Sequence, residues 1–288
     1  MLYNRQNKSV KNNNRFIWFK KWVLERQTYK TLSRDSGLCK DTLQRLFYGY
    51  LNKAPTVSIL KREKVHLRLD ATYFKRFCVI CYQDNDLGYT QLFRFSDGEH
   101  YEEIKEDLAN LINLGLDIES ITSDGHKSIL KAIKKALPDV IAQRCLVHIQ
   151  RMCLIWITRY PQHIAGIELR SLVLYLLKIK TNNDKLFWIN ELTNWHKRHK
   201  KYLQELTTNE LTGRTWYKHK LLRRSYFTIK RALPNMFHYL NNSYIPHTTN
   251  GIEGFWGHLK NHLDLHRGLT PQNRINFIKW YLYFNNLK

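Results

Sequence analysis

The spacing of apolar residues changes along the chain. Over residues 16–51 it is helical: Phe16, Phe19, Trp22 and Val23 recur in FIWFKKWVLERQ, and Leu32, Leu38, Leu43 and Leu46 in TYKTLSRDSGLCKDTLQRLFYGYL. Gly37 stands where two helices need a tight turn, so the stretch predicts a helix-turn-helix with Lys40 to Leu46 as its recognition helix. The outward residues Lys40, Asp41, Thr42, Gln44 and Arg45 can reach phosphates or base edges. Ala54-Pro55-Thr56 ends this unit, and the period then falls to two. VHLRLDATY alternates, RFCVICYQ is β-branched and aromatic, and YTQLFRFS alternates again, which predicts three antiparallel strands with Asp84 to Gly88 turning between the second and third.

Helical spacing returns in HYEEIKEDLANLINLGL, followed by a short strand IESITSD, a helix SILKAIKKALPD stopped by Pro138, and a fifth strand VIAQRCLVH running into another helix. Strand, strand, strand, helix, strand, helix, strand is the order of the ribonuclease H-like fold, in which strands one and four are neighbours. From about residue 150 to 245 the pattern is almost wholly helical, broken at TNND and TGR. The fold class expected is therefore α/β: a ribonuclease H-like mixed sheet with an all-helical insertion, preceded by a small helix-turn-helix domain.

Charge narrows the partners. The 288 residues hold 47 Lys and Arg against 24 Asp and Glu, a formal net charge of +23. A chain this basic meets a polyanion, most often nucleic acid. Between residues 180 and 240 alone there are 13 Lys and Arg against 4 Asp and Glu. No apolar run reaches membrane-spanning length, the N-terminus MLYNRQNKSVKNNNR lacks the core of a signal peptide, and five irregularly spaced cysteines do not form a secreted disulfide framework. A cytoplasmic protein with no membrane partner is expected.

Against this basic background three carboxylates stand out. Asp70 is the only acid between Glu63 and Asp84 and closes the first strand pattern. Asp124 closes the fourth, in SITSDG, with Gly125 allowing a close turn. If strands one and four are adjacent, both carboxylates project side by side, where they repel unless a cation lies between them. Mg²⁺, or Mn²⁺, is the natural one, being hard and oxygen-seeking. A third carboxylate would complete a two-metal site. Glu253 is the best candidate, since Glu253 and Asp264 are the only acids from residue 211 onward. Its structural alternative is a capping box, Asn250 as N-cap and Glu253 at N3.

Taken in order, LDATY around Asp70, SDGH around Asp124, CLVHIQR at 145–151 and HTTNGIEGFWGHLK at 247–260 resemble the mutator-type DDE transposases of bacterial insertion sequences. The resemblance covers roughly residues 64–288. It implies metal-dependent DNA cleavage and strand transfer, with Asp70, Asp124 and Glu253 as the catalytic, metal-binding triad and Cys145 and His148 as the family's C-x-x-H signature. The expected organisation is a basic flexible arm over 1–15, a helix-turn-helix domain over 16–53, the first part of the core over 64–150, a helical insertion over 151–245, and the C-terminal core helices over 246–288. The expected partners are double-stranded DNA, both terminal repeats and target, with at least a homodimer assembled on it.

Other residues divide between chemistry and packing. Cys145 and His148 are only half a zinc site, with no second pair at ligand spacing, and a core or hydrogen-bonding role suits them better. Trp216, in the basic stretch GRTWYKHK, can stack on an unpaired base, and Lys260 can meet a phosphate near the triad. Trp195 at helical spacing reads as core, and Phe255 and Trp256 as the packing face of the Glu253 helix. Two rival functions remain: a non-catalytic DNA-binding protein derived from a transposase, and a ribonuclease H-like nuclease without strand transfer.

Overall fold

The computed structural model describes residues 15–287. The arm expected over 1–15 lies outside the described residues apart from Arg15, which is helical. The chain divides into two compact units: Met1–Leu60, Cys81–Arg94 and Gly251–Lys288 form one, and Lys61–Ile80 with Phe95–Asn250 form the other.

In the first unit, α1 covers residues 15–24, α2 Tyr29–Ser36 and α3 Lys40–Leu51. The start of α2 is fixed by Thr28, whose side chain accepts from Thr31 N–H at 3.3 Å. Its end is fixed by Gly37, at φ +70°, whose N–H reaches Ser33 O. That left-handed residue turns the chain into α3, giving the expected helix-turn-helix. Late in sequence come α10 (Asn250–Leu265) and α11 (Pro271–Asn286). Their aromatics share one core with the first helices. Phe19 meets Trp280 edge-on at 5.2 Å and Phe47 at 5.7 Å, Trp22 meets Phe277 at 5.2 Å, and Trp280 Nε1 donates to Tyr50 O at 3.0 Å. Asn286, at the end of α11, exchanges two hydrogen bonds with the Thr90 backbone.

Among the described residues, five strands form one sheet in the order β3-β2-β1-β4-β5: β1 Val65–Tyr73, β2 Cys78–Asp84, β3 Thr90–Ser96, β4 Ile118–Ser123 and β5 Ile141–Arg144. Short turns join β1 to β2 and β2 to β3, which only antiparallel neighbours permit. In the second turn the Asp84 carboxylate accepts from Asp86 and Leu87 N–H, and Gly88 sits at φ +63°. β4 pairs in parallel with both β1 and β5. The helices α4 (Tyr101–Asn113) and α5 (Lys127–Ala136) supply the two crossovers. This mixed 3-2-1-4-5 sheet is the ribonuclease H-like arrangement.

The helical block of the second unit comprises α6 (Leu146–Ile157), α7 (Ile164–Tyr175), α8 (Asn182–Gln204) and α9 (Lys220–Ala232). Their shared core includes Trp188 and Trp195. Trp195 is fully buried, and its Nε1 donates to Ala165 O at 2.9 Å. One short hairpin interrupts the helices, β6 (Leu206–Thr208) paired with β7 (Thr215–Tyr217). It forms around the polar break TGR, where Gly213 takes φ +65°. Among the described residues no helix is long and apolar enough to cross a membrane.

Candidate active site

Parallel pairing of β1 with β4 ends at Leu69 opposite Ser123. The next residue on each strand is Asp70 and Asp124, so the two aspartates are neighbours across adjacent strands about 5 Å apart in the backbone. Asp70 does not close its strand, however: β1 continues to Tyr73. The strand outlasts its parallel partner because β2 still pairs with it on the other side. Asp70 is consequently buried, 8% exposed.

Asp124 is held by its backbone and by its neighbours. Arg144, the last residue of β5, donates to Asp124 O at 3.0 Å. Gly125, at φ +77°, lets that guanidinium through, since a Cβ there would fall on Arg144 itself. One Asp124 carboxylate oxygen accepts from His126 N–H at 2.8 Å. The His126 ring in turn lies 3.2 Å from the Glu99 carboxylate. Glu99 has its pKa raised, by burial first and by the charge of Asp124 second. Nothing in its immediate hydrophobic pattern marks Glu99, but Ser-Asp-Gly after β3 (96–98) repeats Ser-Asp-Gly after β4 (123–125), and that echo was a usable signal.

Cys145 and His148 stand at the start of α6, directly after β5. Both the N–H and the hydroxyl of Thr249 donate to Cys145 Sγ, each at 3.3 Å, and the Thr249 hydroxyl lies 3.4 Å from His148 Nδ1. Burial pushes the Cys145 thiol up, but hydrogen bonds from His148 and Thr249 outweigh it and hold the thiol below its ordinary value. His148 is correspondingly raised, first by its hydrogen bond with Cys145 and further by the charges of Cys145, Asp70 and Asp124. His148 therefore lies within electrostatic reach of the aspartate pair. Thr249 ends a strap that returns from the helical block: Gln143 Nε2 donates to Met236 O, Thr122 Oγ1 to Pro246 O, and Leu146 N–H to His247 O. The next residue, Asn250, opens α10. It is already helical, not the N-cap expected for a capping box.

Asp70 and Asp124 are thus brought together, with Cys145, His148 and the unexpected Glu99 in the same unit. Glu253 belongs to the other unit, in the first turn of α10, with Lys260 two turns on. Phe255 rests on Tyr281 of α11 at 5.1 Å, and Trp256 is 3% exposed. Lys40, Thr42, Gln44 and Arg45 all lie on α3. Trp216 lies on β7 and is 42% exposed. Beside it Arg223 stacks over Tyr217 at 3.9 Å.

Two adjacent carboxylates suit a hard cation completed by substrate phosphate, which is how Mg²⁺ is commonly held. Among the described residues, no group of three or more His, Cys, Asp or Glu is gathered as a metal-binding cluster.

No curated protein matches the chain. Among solved structures, the HTLV-2 integrase catalytic core domain in complex with magnesium aligns at 17% identity, covering 54% of this chain and 96% of that one, with a TM-score of 0.23. A simian T-cell lymphotropic virus intasome in complex with PP2A regulatory subunit B56 gamma aligns at 13% identity and TM-score 0.23, covering 61% of this chain and about half, 52%, of that one. At such scores the fold assignment rests on the strand order and pairing. The model of a family described as "Transposase, Mutator family" matches residues 87–215, less than half of the chain. The match contains Asp124, Cys145 and His148 and leaves Asp70 and Glu253 outside. Over residues 87–215, the chain is similar to the Mutator family of transposases.

Proposed function

We propose that this chain is a DDE transposase that cuts DNA at the ends of an insertion sequence and joins the freed ends to target DNA. The observation that carries the reading is the placement of Asp70 on β1 and Asp124 directly after β4, on paired neighbouring strands, in a chain whose residues 87–215 match the model of a transposase family. Asp70, Asp124 and, by the motif that contains it, Glu253 would hold the divalent cations. When bound, Mg²⁺ or Mn²⁺ lowers the pKa of an attacking water or 3′-hydroxyl and stabilises the leaving oxygen.

The reaction runs in two displacements at phosphorus. A water oxygen forms one P–O bond as the bond to the 3′ oxygen breaks, and the proton goes to solvent. The released 3′-hydroxyl then forms a bond to a target phosphorus, which loses its own 3′ oxygen. Each step exchanges one P–O bond for another, so no oxidant or energy-rich cofactor is consumed. The residues of the chain position and polarise. Arg144 and Gly125 fix the Asp124 loop, and His148 offsets repulsion between the aspartates. Residues 16–53 read the terminal repeats through Lys40, Thr42, Gln44 and Arg45. Trp216 in the insertion stacks on an unpaired base, and Lys260 meets a phosphate. Joining two ends requires at least a dimer on the DNA, and the reaction takes place in the cytoplasm, at the nucleoid.

The test is purified protein with end-containing duplex and Mg²⁺ or Mn²⁺. Nicked and joined products are expected from the wild type and neither from Asp70→Ala, Asp124→Ala or Glu253→Ala. Nicking that persists in all three variants removes the triad. Cleavage with no joined product points to a nuclease, and binding without cleavage to a non-catalytic DNA-binding protein.

A further inference from the structure

Beside the helix-turn-helix lies an open cleft of about 860 Å³. Two of its walls are α2, with Lys30 and Arg34, and α3, with Lys40, Gln44 and Tyr48. Each set is spaced four residues apart, so each lies along one helix face. The third wall comes from the far end of the sequence, the turn after α10, where Arg267 stands exposed. That turn is held in place by the aromatic core. His262 Nε2 lies 2.8 Å from Leu24 O, and the rings of His266 and Trp22 are 4.5 Å apart.

Four cations therefore line the cleft, and no carboxylate is among its lining residues. One cation is partly neutralised from outside, since Arg34 Nε lies 3.1 Å from the Asp35 carboxylate. Among the described residues, Lys30, Lys40 and Arg267 form no ion pair with a carboxylate, and all three are exposed. Cations on three walls around an open groove match a chain of regularly spaced anions better than a single small one. The Lys40–Gln44–Tyr48 face of α3, which a helix-turn-helix lays against DNA, is itself one wall.

We infer that the cleft grips the sugar–phosphate backbone of double-stranded DNA, with Arg267 of the α10–α11 turn closing on the strand that α3 reads. The inference rests on the DNA-binding reading of α2 and α3. It adds a contact that no free-standing helix-turn-helix would possess: the reader is completed by a residue following the helix of Glu253. Phosphate contacts of this kind carry no sequence information but set register and affinity.

The experiment measures binding of a labelled duplex of random sequence by fluorescence anisotropy, using the full chain, in EDTA and across a series of KCl concentrations. Each lost phosphate contact should flatten the plot of log K against log salt by about one unit. Arg267→Ala and Lys30→Ala should each do so, Arg267→Lys should restore the slope, and Lys279→Ala, on α11 outside the cleft, should leave it unchanged. Unchanged melting temperatures for these exposed positions separate lost contacts from lost fold. Wild-type slopes for Arg267→Ala and Lys30→Ala, with Lys40→Ala flattened, would overturn the cleft while leaving helix-turn-helix binding intact. Polyglutamate displacing the duplex as well as unlabelled duplex does would also overturn it, in favour of an acidic protein partner. Wild-type protein that binds no DNA would remove the inference and the transposase reading together. Loss of cleavage with normal salt slopes touches only the latter.

Discussion

The two compact units carry opposite charge designs. In one, Asp70 within β1, Asp124 just after β4 and Glu99 lie within electrostatic reach of a single raised histidine. In the other, the cleft beside α3 carries four cations and no lining carboxylate. A site built from acids repels phosphate until cations join it, so affinity cannot come from there. On the proposed function, grip and chemistry fall on different side chains, and each should be removable without the other.

The sharpest break is at the aspartates. Asp70→Asn and Asp124→Asn should each lower nicking roughly a thousand-fold, about 4 kcal/mol of barrier, while DNA affinity in EDTA stays at the wild-type value. Equal losses of binding and cleavage would mean that the two functions are not separate.

Next is the aromatic core that supports the cleft. Phe19 is fully buried among Trp22, Phe47, Tyr50 and Trp280. Phe19→Ala should cost about 3–5 kcal/mol in denaturant unfolding. Protection of α3 and of α11 amides from hydrogen exchange should fall together, since both helices pack on that ring. The β1–β4 amides should keep theirs.

The same unit should weaken in acid. Burial lowers the pKa of His266 from 6.5 to about 4. The unfolded chain thus takes up a proton at a pH where the folded one cannot. Stability is full above pH 6.5 and falls as the pH drops toward 4, by up to about 3 kcal/mol. Urea unfolding at stepped pH should show this slope in the wild type and a shallower one in His266→Gln.

The smallest effect expected lies at Cys145. Cys145→Ala leaves the Thr249 N–H without its acceptor, a loss of about 1–3 kcal/mol. Cys145→Ser keeps an acceptor and should recover most of it. Amide exchange at Thr249 reports the difference directly, and nicking should follow it if the strap positions the helix of Glu253.

Much of the fold was legible because period and punctuation agree. VHLRLDATY alternates over the same residues, Val65–Tyr73, that form β1, and Gly37 marks the turn between α2 and α3. The adjacency of Asp70 and Asp124 followed from strand order alone. What stayed hidden depends on contacts distant in sequence. The continuation of β1 past Asp70 is decided by β2, not by β1's own pattern. Glu99 gains its setting from a loop after another strand, and Cys145 from Thr249, 104 residues away. The expected boundaries at 16–53 and 246–288 followed local periodicity, which is blind to Phe19 meeting Trp280.

That last contact bears on how the protein is made. The ring that completes the packing around α1 leaves the ribosome some 260 residues after Phe19, a delay set by the numbering itself. Loop closure over so long a stretch is slow, and early segments must wait with their aromatics uncovered. A prematurely terminated product would lack Trp280 and Phe284 from the packing around Phe19 and keep that ring partly uncovered.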